Sequence, residues 1–284
     1  MRSTCIPLIV ACLSLAGTAA GASGLDDVAG ALRAMPVADG GDTRLPRPMI
    51  PLEARFKRLL RDEAEHLLPD ADAAHVDLAA LQRRLDALAA RFAPADDGDE
   101  AYRRGPVYGN VLGVRAERPA GHPELLAIRT SVRVVCGSDE SLALLERRAG
   151  RWIELLAVDS GAIGRIDGAF IDLDYRLGAT RADGGFDVVA ANVNPWCQSN
   201  WQTLRHAVYR VAPAHAARRL FAGNDSIFIG VDAPVYRIGM RPGGYTLSFA
   251  AEGREPGDVQ GRDVEFRIAG DRVARGRTRL EAPR

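Results

Sequence analysis

The residues whose type and spacing most directly suggest chemistry are two aspartates. Asp172 and Asp174 lie in Phe170–Leu177, where apolar and polar residues alternate, and a spacing of two puts both on one face of a strand. A glycoside hydrolase needs two carboxylates facing its substrate across roughly 5 to 10 Å, a separation that such strand neighbours approach. The plainer reading of the pattern is the solvated face of a half-buried strand. Other catalytic constellations are missing from the sequence. The five histidines, His66, His75, His122, His206 and His215, show no H-E-x-x-H helix and no ligand-like spacing. His206 shares a strand face with Leu204 and Val208, the setting of a packed histidine. Lys57 is the single lysine; it belongs to no Gly-Lys-Ser/Thr loop, and Ala54, three residues before it, excludes a Ser-x-x-Lys pair. Asp159-Ser160-Gly161 comes nearest to a Gly-x-Ser-x-Gly elbow, but Ala157 and Val158 precede it. Asp70-Ala71-Asp72 and Asp96-Asp97-Gly98-Asp99-Glu100 lack the ligand alternation of a calcium loop. These readings predict no metal and no cofactor, and favour a binding protein over an enzyme.

The three tryptophans, Trp152, Trp196 and Trp201, are the candidate binding residues. Coplanar, solvent-facing rings would form a stacking platform for a sugar, whereas rings packed over a disulfide would close the core. Of the four cysteines, Cys5 and Cys12 fall in residues 1–22, MRSTCIPLIVACLSLAGTAAGA. One arginine, an apolar stretch from Cys5 to Ala16 and small residues at Ala20 and Ala22 give this segment the layout of a secretory signal cut after Ala22. Ile9-Val10-Ala11-Cys12 also resembles a lipobox, which would tether the chain through a lipid on Cys12. The expected location is periplasmic or secreted, with membrane attachment only through that lipid. Cys136 and Cys197 then share an oxidising compartment and are expected to pair. The bridge would close a loop of about 60 residues, worth on the order of 4 kcal/mol.

Charge narrows the partners. With 37 basic against 37 acidic residues in 284, the chain lacks the basic excess by which a dedicated nucleic-acid binder displaces counterions from phosphate. A hydrophobic share of 47% is ample for a packed core. The partner expected is an envelope protein or a glycan, and the function expected is that of a non-catalytic binding or scaffold module of the envelope. The alternative is a carboxylate-dependent hydrolase acting on an envelope glycan.

The elements that must position these residues follow from periodicity. After the signal at 1–22, residues 23–50, with Gly40-Gly41 and three prolines between 46 and 51, predict an extended linker. Residues 51–93 predict a helical hairpin, with Leu78, Leu81, Leu85, Leu88 and Phe92 on one face and Asp77 available as N-cap. Its seam would find cover on its own mate, on the following domain or in a coiled-coil dimer. Residues 94–106 form an acidic linker, and 107–284 an antiparallel β domain of roughly eleven short strands, with Ala214 to Ala222 able to form one short helix. The fold class expected is α+β, a helical hairpin before a sandwich or barrel-like β region carrying one disulfide.

Two passages carry a resemblance. Cys136-Gly137-Ser138-Asp139, leading through Gly150-Arg151-Trp152, and later Trp196-Cys197-Gln198-Ser199-Asn200-Trp201 resemble a family of exported bacterial proteins of unknown activity with Cys-Gly-x-Asp and Trp-Cys-x-Ser-x-Trp turns. The likeness covers about residues 107–275 and implies export but no reaction. Chains of that kind end in a Pro-rich stretch followed by Phe-Val-Asp-Glu-Trp-Leu, which is absent here. In the first passage, Gly137 permits a tight turn, and Ser138 and Asp139 are expected to hydrogen-bond their own turn amides.

Overall fold

Short runs of alternating apolar residues, separated by Gly, Pro, Asn or Asp, fold here as hairpins in which, within each sheet, each strand pairs with the next. The computed structural model describes residues 19–37, 43–94, 107–194, 199–213, 215–229, 235–252 and 258–280. Within them, helices α1 (Ala19–Arg33), α2 (Met49–His66) and α3 (Leu78–Ala90) precede twelve strands. The first meander is β1 (Val111–Glu117), β2 (Leu125–Val134), β3 (Gly137–Arg148) and β4 (Arg151–Val158). The second is β5 (Ile171–Leu177), β6 (Phe186–Val193), β7 (Trp201–Val211) and β8 (Arg218–Phe228). The third is β9 (Tyr236–Arg241), β10 (Gly244–Glu252), β11 (Val259–Ala269) and β12 (Arg272–Leu280). All pairings are antiparallel. The turn between β3 and β4 shows how local chemistry sets register: Arg148 pairs with Arg151, and Ala149 and Gly150 between them both have positive φ, as a two-residue hairpin matched to strand twist requires.

Side-chain alternation sorts the buried residues into three cores and thereby stacks the layers. Leu126, Ile128, Val132 and Leu145 of the first sheet pack against the helices. Leu125, Ala127, Leu142 and Leu144, on its other face, meet Leu173, Tyr175, Val188 and Ala190 of the second sheet. Val189, Ala191, Leu204 and Val208 on the far side of the second sheet meet Leu247, Phe249, Val264 and Phe266 of the third. The order is therefore helices, first sheet, second sheet, third sheet. β6 lies in the middle layer and is buried on both faces over almost its whole length, which is why Val188-Val189-Ala190-Ala191 reads as an unbroken apolar run.

This arrangement corrects the expected sandwich or barrel: the β region is three open four-stranded sheets in a stack. The linker expected at 23–50 is also corrected in its first part. Leu25, Val28, Ala29 and Leu32 fall at helical spacing on α1 and are fully buried, a seam hidden in sequence by small residues and by Gly24 and Gly30. The helical pair at 51–93 forms, and the Asp77 side chain accepts from the amide of Ala80 at 3.0 Å, capping α3. Its apolar faces are covered mainly by the following domain, one of the alternatives expected, and by α1: α2 packs on α1 and β2, and α3 on β1, while Phe56 meets Phe92 edge-on at 5.9 Å. Of the acidic linker expected at 94–106, residues 95–106 lie outside the described residues. The helix considered at 214–222 is not formed; β8 occupies 218–228, where pairing with β7 outweighs the local helix preference. Among the described residues no helix is long and apolar enough to cross a membrane.

Candidate functional site

The structure separates the residues that the sequence grouped. A β-bulge interrupts β5 between Ile171 and Asp174, and Asp172 takes a left-handed backbone with φ of 50°. The alternation that would place Asp172 and Asp174 side by side on one face is thereby lost. Asp174 is bound by Arg176 at 2.7 Å. Asp172 exposes much of its surface, yet desolvation raises its carboxyl above the ordinary range, opposed by Arg129. Its electrostatic neighbour is Glu140 of β3, whose carboxyl is also raised, mainly by burial, while accepting from the amide of Leu173 at 2.9 Å. Trp152 donates to the carbonyl of Pro69 at 3.0 Å and packs among the helices, whereas Trp201 sits edge-on to Phe228 at 5.1 Å. The two rings belong to different sheets and share no platform. Trp196 and Cys197 lie outside the described residues.

Cys136 occupies the two-residue turn between β2 and β3 with φ of 67° and is not without a partner. It is the only cysteine among the described residues, which therefore contain no cysteine pair. Ser138 and Asp139 do not bond their own turn as expected, because β3 has already begun at Gly137. Asp139 instead reaches across the layers. Its Oδ1 accepts from the amide of Phe170 at 2.9 Å, and its Oδ2 from Lys57 Nζ at 2.7 Å and from Ser160 Oγ at 2.6 Å. Lys57 also donates to Ser160 Oγ at 2.5 Å.

A lysine and a serine so close invite comparison with a nucleophilic pair, which requires a neutral amine to take the serine proton. Here the ammonium is ion-paired, with Lys57 and Asp139 only 4% and 0% exposed, so no lone pair faces Ser160. Glu53, one helical turn before Lys57, is buried beside them; burial and then the Asp139 charge push its carboxyl up to about 8, against the pull of Lys57. This cluster ties α2 to the first sheet and to the segment leading into β5. Sequence reasoning missed it because its members are separated by 82 and 103 residues. His206 likewise is packed, its Nδ1 3.0 Å from the Tyr245 hydroxyl, and burial pushes it down to about 4, so the ring is neutral. Among the described residues no group of three or more His, Cys, Asp or Glu is placed to hold a metal ion.

The arrangement most suited to a ligand lies on the face of the second sheet toward the first. Strand register there aligns Asn192, Arg205 and Asn224 in one row across β6, β7 and β8, and Ala190, Ala207 and Ala222 in the next. Tyr209 and Arg219 pair in the same direction beyond a bulge. Three alanines leave a hollow where larger side chains would fill the layer. The resulting cavity is about 310 Å³ and is closed on one side by Val158 and Phe170. Tyr209 and Arg219 also line an adjoining cavity of about 440 Å³ with Glu154, Leu155, Leu156 and Ala217, so the two form one groove beside edge strand β4. The Ala217 amide donates to the Leu155 carbonyl at 3.2 Å and spans this edge.

Polar groups of the groove are left with capacity for a ligand. Asn192 is 6% exposed, and its Oδ1 has no hydrogen-bond partner; a buried acceptor left so costs about 1–3 kcal/mol. Arg205 donates to the carbonyls of Asp167 and Gly168, fixing its guanidinium without neutralising it. Among the described residues neither Arg205 nor Arg219 has a carboxylate in ion-pair range. The sequence signal was available in principle, as three consecutive strands each carrying Ala two residues from Asn or Arg, but only register reveals that they form rows. Comparison with protein-family models and with curated proteins gives no match to this chain.

Proposed function

We propose that this chain is an exported, non-catalytic binding module of the cell envelope, and that the groove on the second sheet takes an envelope glycan bearing carboxylates. The observation that carries this reading is the register row Asn192–Arg205–Asn224 beside the alanine row. Asn192 Oδ1 can accept from a sugar hydroxyl, the Tyr209 ring offers an apolar face to a pyranose, and Arg205 and Arg219 supply charge for a carboxylate. Export is supported by the apolar stretch Cys5–Ala16 with its small residues at Ala20 and Ala22, and by the resemblance to exported proteins.

The Cys136–Cys197 bridge belongs to the same proposal. Glu140 donates its amide to Phe170 at 2.7 Å, and Ile171 pairs with Val193 at the end of β6. The start of β3 and the end of β6, four residues before Cys197 in the sequence, therefore lie toward the same end of the stack. That proximity favours pairing of the two cysteines in an oxidising compartment.

The test is titration of soluble peptidoglycan strands into the purified protein, with neutral cello-oligosaccharide as control. The acidic glycan is expected to bind and to weaken with salt. Ala222→Trp, at an exposed position on the groove floor, should abolish binding while leaving the circular dichroism spectrum unchanged. Equal binding of the neutral chain, or full binding by Ala222→Trp, would reject the groove. Release of reducing ends would instead favour the hydrolase reading, for which the raised carboxyls of Glu140 and Asp172 around Arg129 are the supporting observation.

A further inference from the structure

A second cavity, of about 620 Å³, opens at the far end of the stack from β5–β6 connection to β9–β10 turn and is independent of the groove. Its wall combines an apolar part, Met240, Pro242 and Ile268, with three arginines, Arg181, Arg210 and Arg241, and one carboxylate, Asp187. Ala179 and four glycines line the rest, and two of the glycines sit where a side chain would meet a neighbour. A Cβ at Gly244 would lie 2.0 Å from the Phe266 carbonyl oxygen, and one at Gly178 would press on the Met240 methyl at 3.3 Å.

The three arginines are not equally engaged. Arg210 grips Asp187 with both Nε and Nη2, at 2.8 and 3.2 Å, and spends Nη1 on Gly270 and Asp271, so Asp187 is already neutralised by a fork-on geometry. Arg181 is held through Nη2 by Asp183. Its Nη1 is buried without a hydrogen-bond partner and stands 3.9 Å from Asp187 Oδ1, beyond bonding reach. Among the described residues Arg241 makes two long contacts, 3.4 Å each, to Glu265 and the Phe266 carbonyl. The loop that carries Arg181 is braced at its base, where Gly178 donates to Asp187 and Arg181 to Gly185 through their backbones, so its guanidinium is presented from a fixed turn.

We infer that this cavity is an anion site for a carboxylate or sulfonate joined to an apolar body, with the anion at Arg181 Nη1 and Arg241 and the body against Met240, Pro242 and Ile268. Its volume lies within the range of small-molecule sites, and an unpaired buried guanidinium nitrogen is a donor that such an anion satisfies.

Anilinonaphthalene sulfonate, an anion with an aromatic body, is the probe. The native protein is expected to enhance its fluorescence, dodecanoate to displace it, and dodecanol, the same chain without charge, to displace it far less. Arg181→Met and Arg241→Met should each weaken dodecanoate by about tenfold or more, the scale of one lost charge-assisted hydrogen bond. Ala222→Trp, which blocks the groove, should leave the titration unchanged, so failure of either site is told apart from failure of the other. Equal displacement by dodecanol, no enhancement of the probe, or unchanged affinity in a folded Arg241→Met protein would overturn the assignment. Should Arg181→Met fail to fold, Arg241→Met decides alone, since its long contacts contribute little to the fold.

Discussion

Replacing Glu53 by Gln should stabilise the protein, and by an amount that grows with pH. Glu53 is 3% exposed, and its carboxyl is pushed from an ordinary 4.5 up to about 8 by burial and by the charge of Asp139. In the unfolded chain the same group ionises near 4.5. A raised folded value means that its contribution is fully present below pH 4.5 and is lost as pH rises toward 8, because over that window the unfolded state releases a proton that the folded state must retain. Each tenfold change in proton affinity corresponds to about 1.4 kcal/mol. Keeping Glu53 neutral therefore costs about 3 kcal/mol at pH 7 and about 5 kcal/mol once pH passes the folded value. Glutamine has nearly the same shape and never ionises, so the variant escapes this cost. Urea denaturation of both proteins at pH 5, 7 and 8.5 measures the difference, and the other titrating groups, Glu65 and Glu140 among them, cancel in it. The expected gain is under about 1 kcal/mol at pH 5 and rises through about 3 to about 5 kcal/mol. A difference that stays constant across the three pH values, or that shrinks as pH rises, would refute the argument.

Two further perturbations address the same region. Asp139→Ala leaves Lys57 buried without its counter-charge and orphans the Phe170 amide, so denaturation should report a loss of about 3 to 5 kcal/mol; adding Lys57→Met should recover part of it, and no recovery would mean that the ion pair is not the cause. Reduction of the exported protein with dithiothreitol should lower its stability by about 4 kcal/mol if Cys136 and Cys197 are joined, and mass spectrometry of the intact chain should show two hydrogens fewer before reduction; a free-thiol mass would remove the bridge from the proposal.

Much of the fold is legible in the sequence because its signals are local. The Arg148–Arg151 turn, the N-cap at Asp77 and the alternation in Leu125–Val134 each depend on residues within a few positions of one another. What is illegible depends on layers. α1 escapes notice because Ala29 and the glycines beside it blunt the apolar stripe that Leu25, Val28 and Leu32 complete only once α2 is packed on it. The carboxylate pair at Asp172 and Asp174 is misread for a different reason: one extra residue at the bulge cancels the two-residue period on which the reading rests. Lys57 carries no sequence-local motif at all, since Asp139 and Ser160 reach it from the opposite layer.

The stacking also accounts for why ligand-sized space occurs where it does. A sheet between two others must be covered on both faces, and β5 and β6 are: the first sheet lies on one side through β3, and the third on the other through β9. β8 is covered on one side only. Its outward residues Ala222, Asn224 and Ser226 are exposed, while Ile227 between such positions is fully buried toward the third sheet. The first sheet ends at β4, so the faces of β7 and β8 that run past this edge must either carry polar side chains or meet something else. Arg205, Asn224 and Arg219 meet that requirement for solubility, but the alanine row between them does not follow from it, since a solvent-facing strand has no need of a hollow. Small side chains at Ala207 and Ala222, where the middle layer runs past β4, in register with the buried Ala190 of β6, are explained by a body that lies against them. Filling the hollow without unfolding the sheet, as Ala222→Trp does, separates the two accounts: a floor that is merely solvated tolerates the indole with no change in any binding assay, and a floor shaped for a glycan loses it.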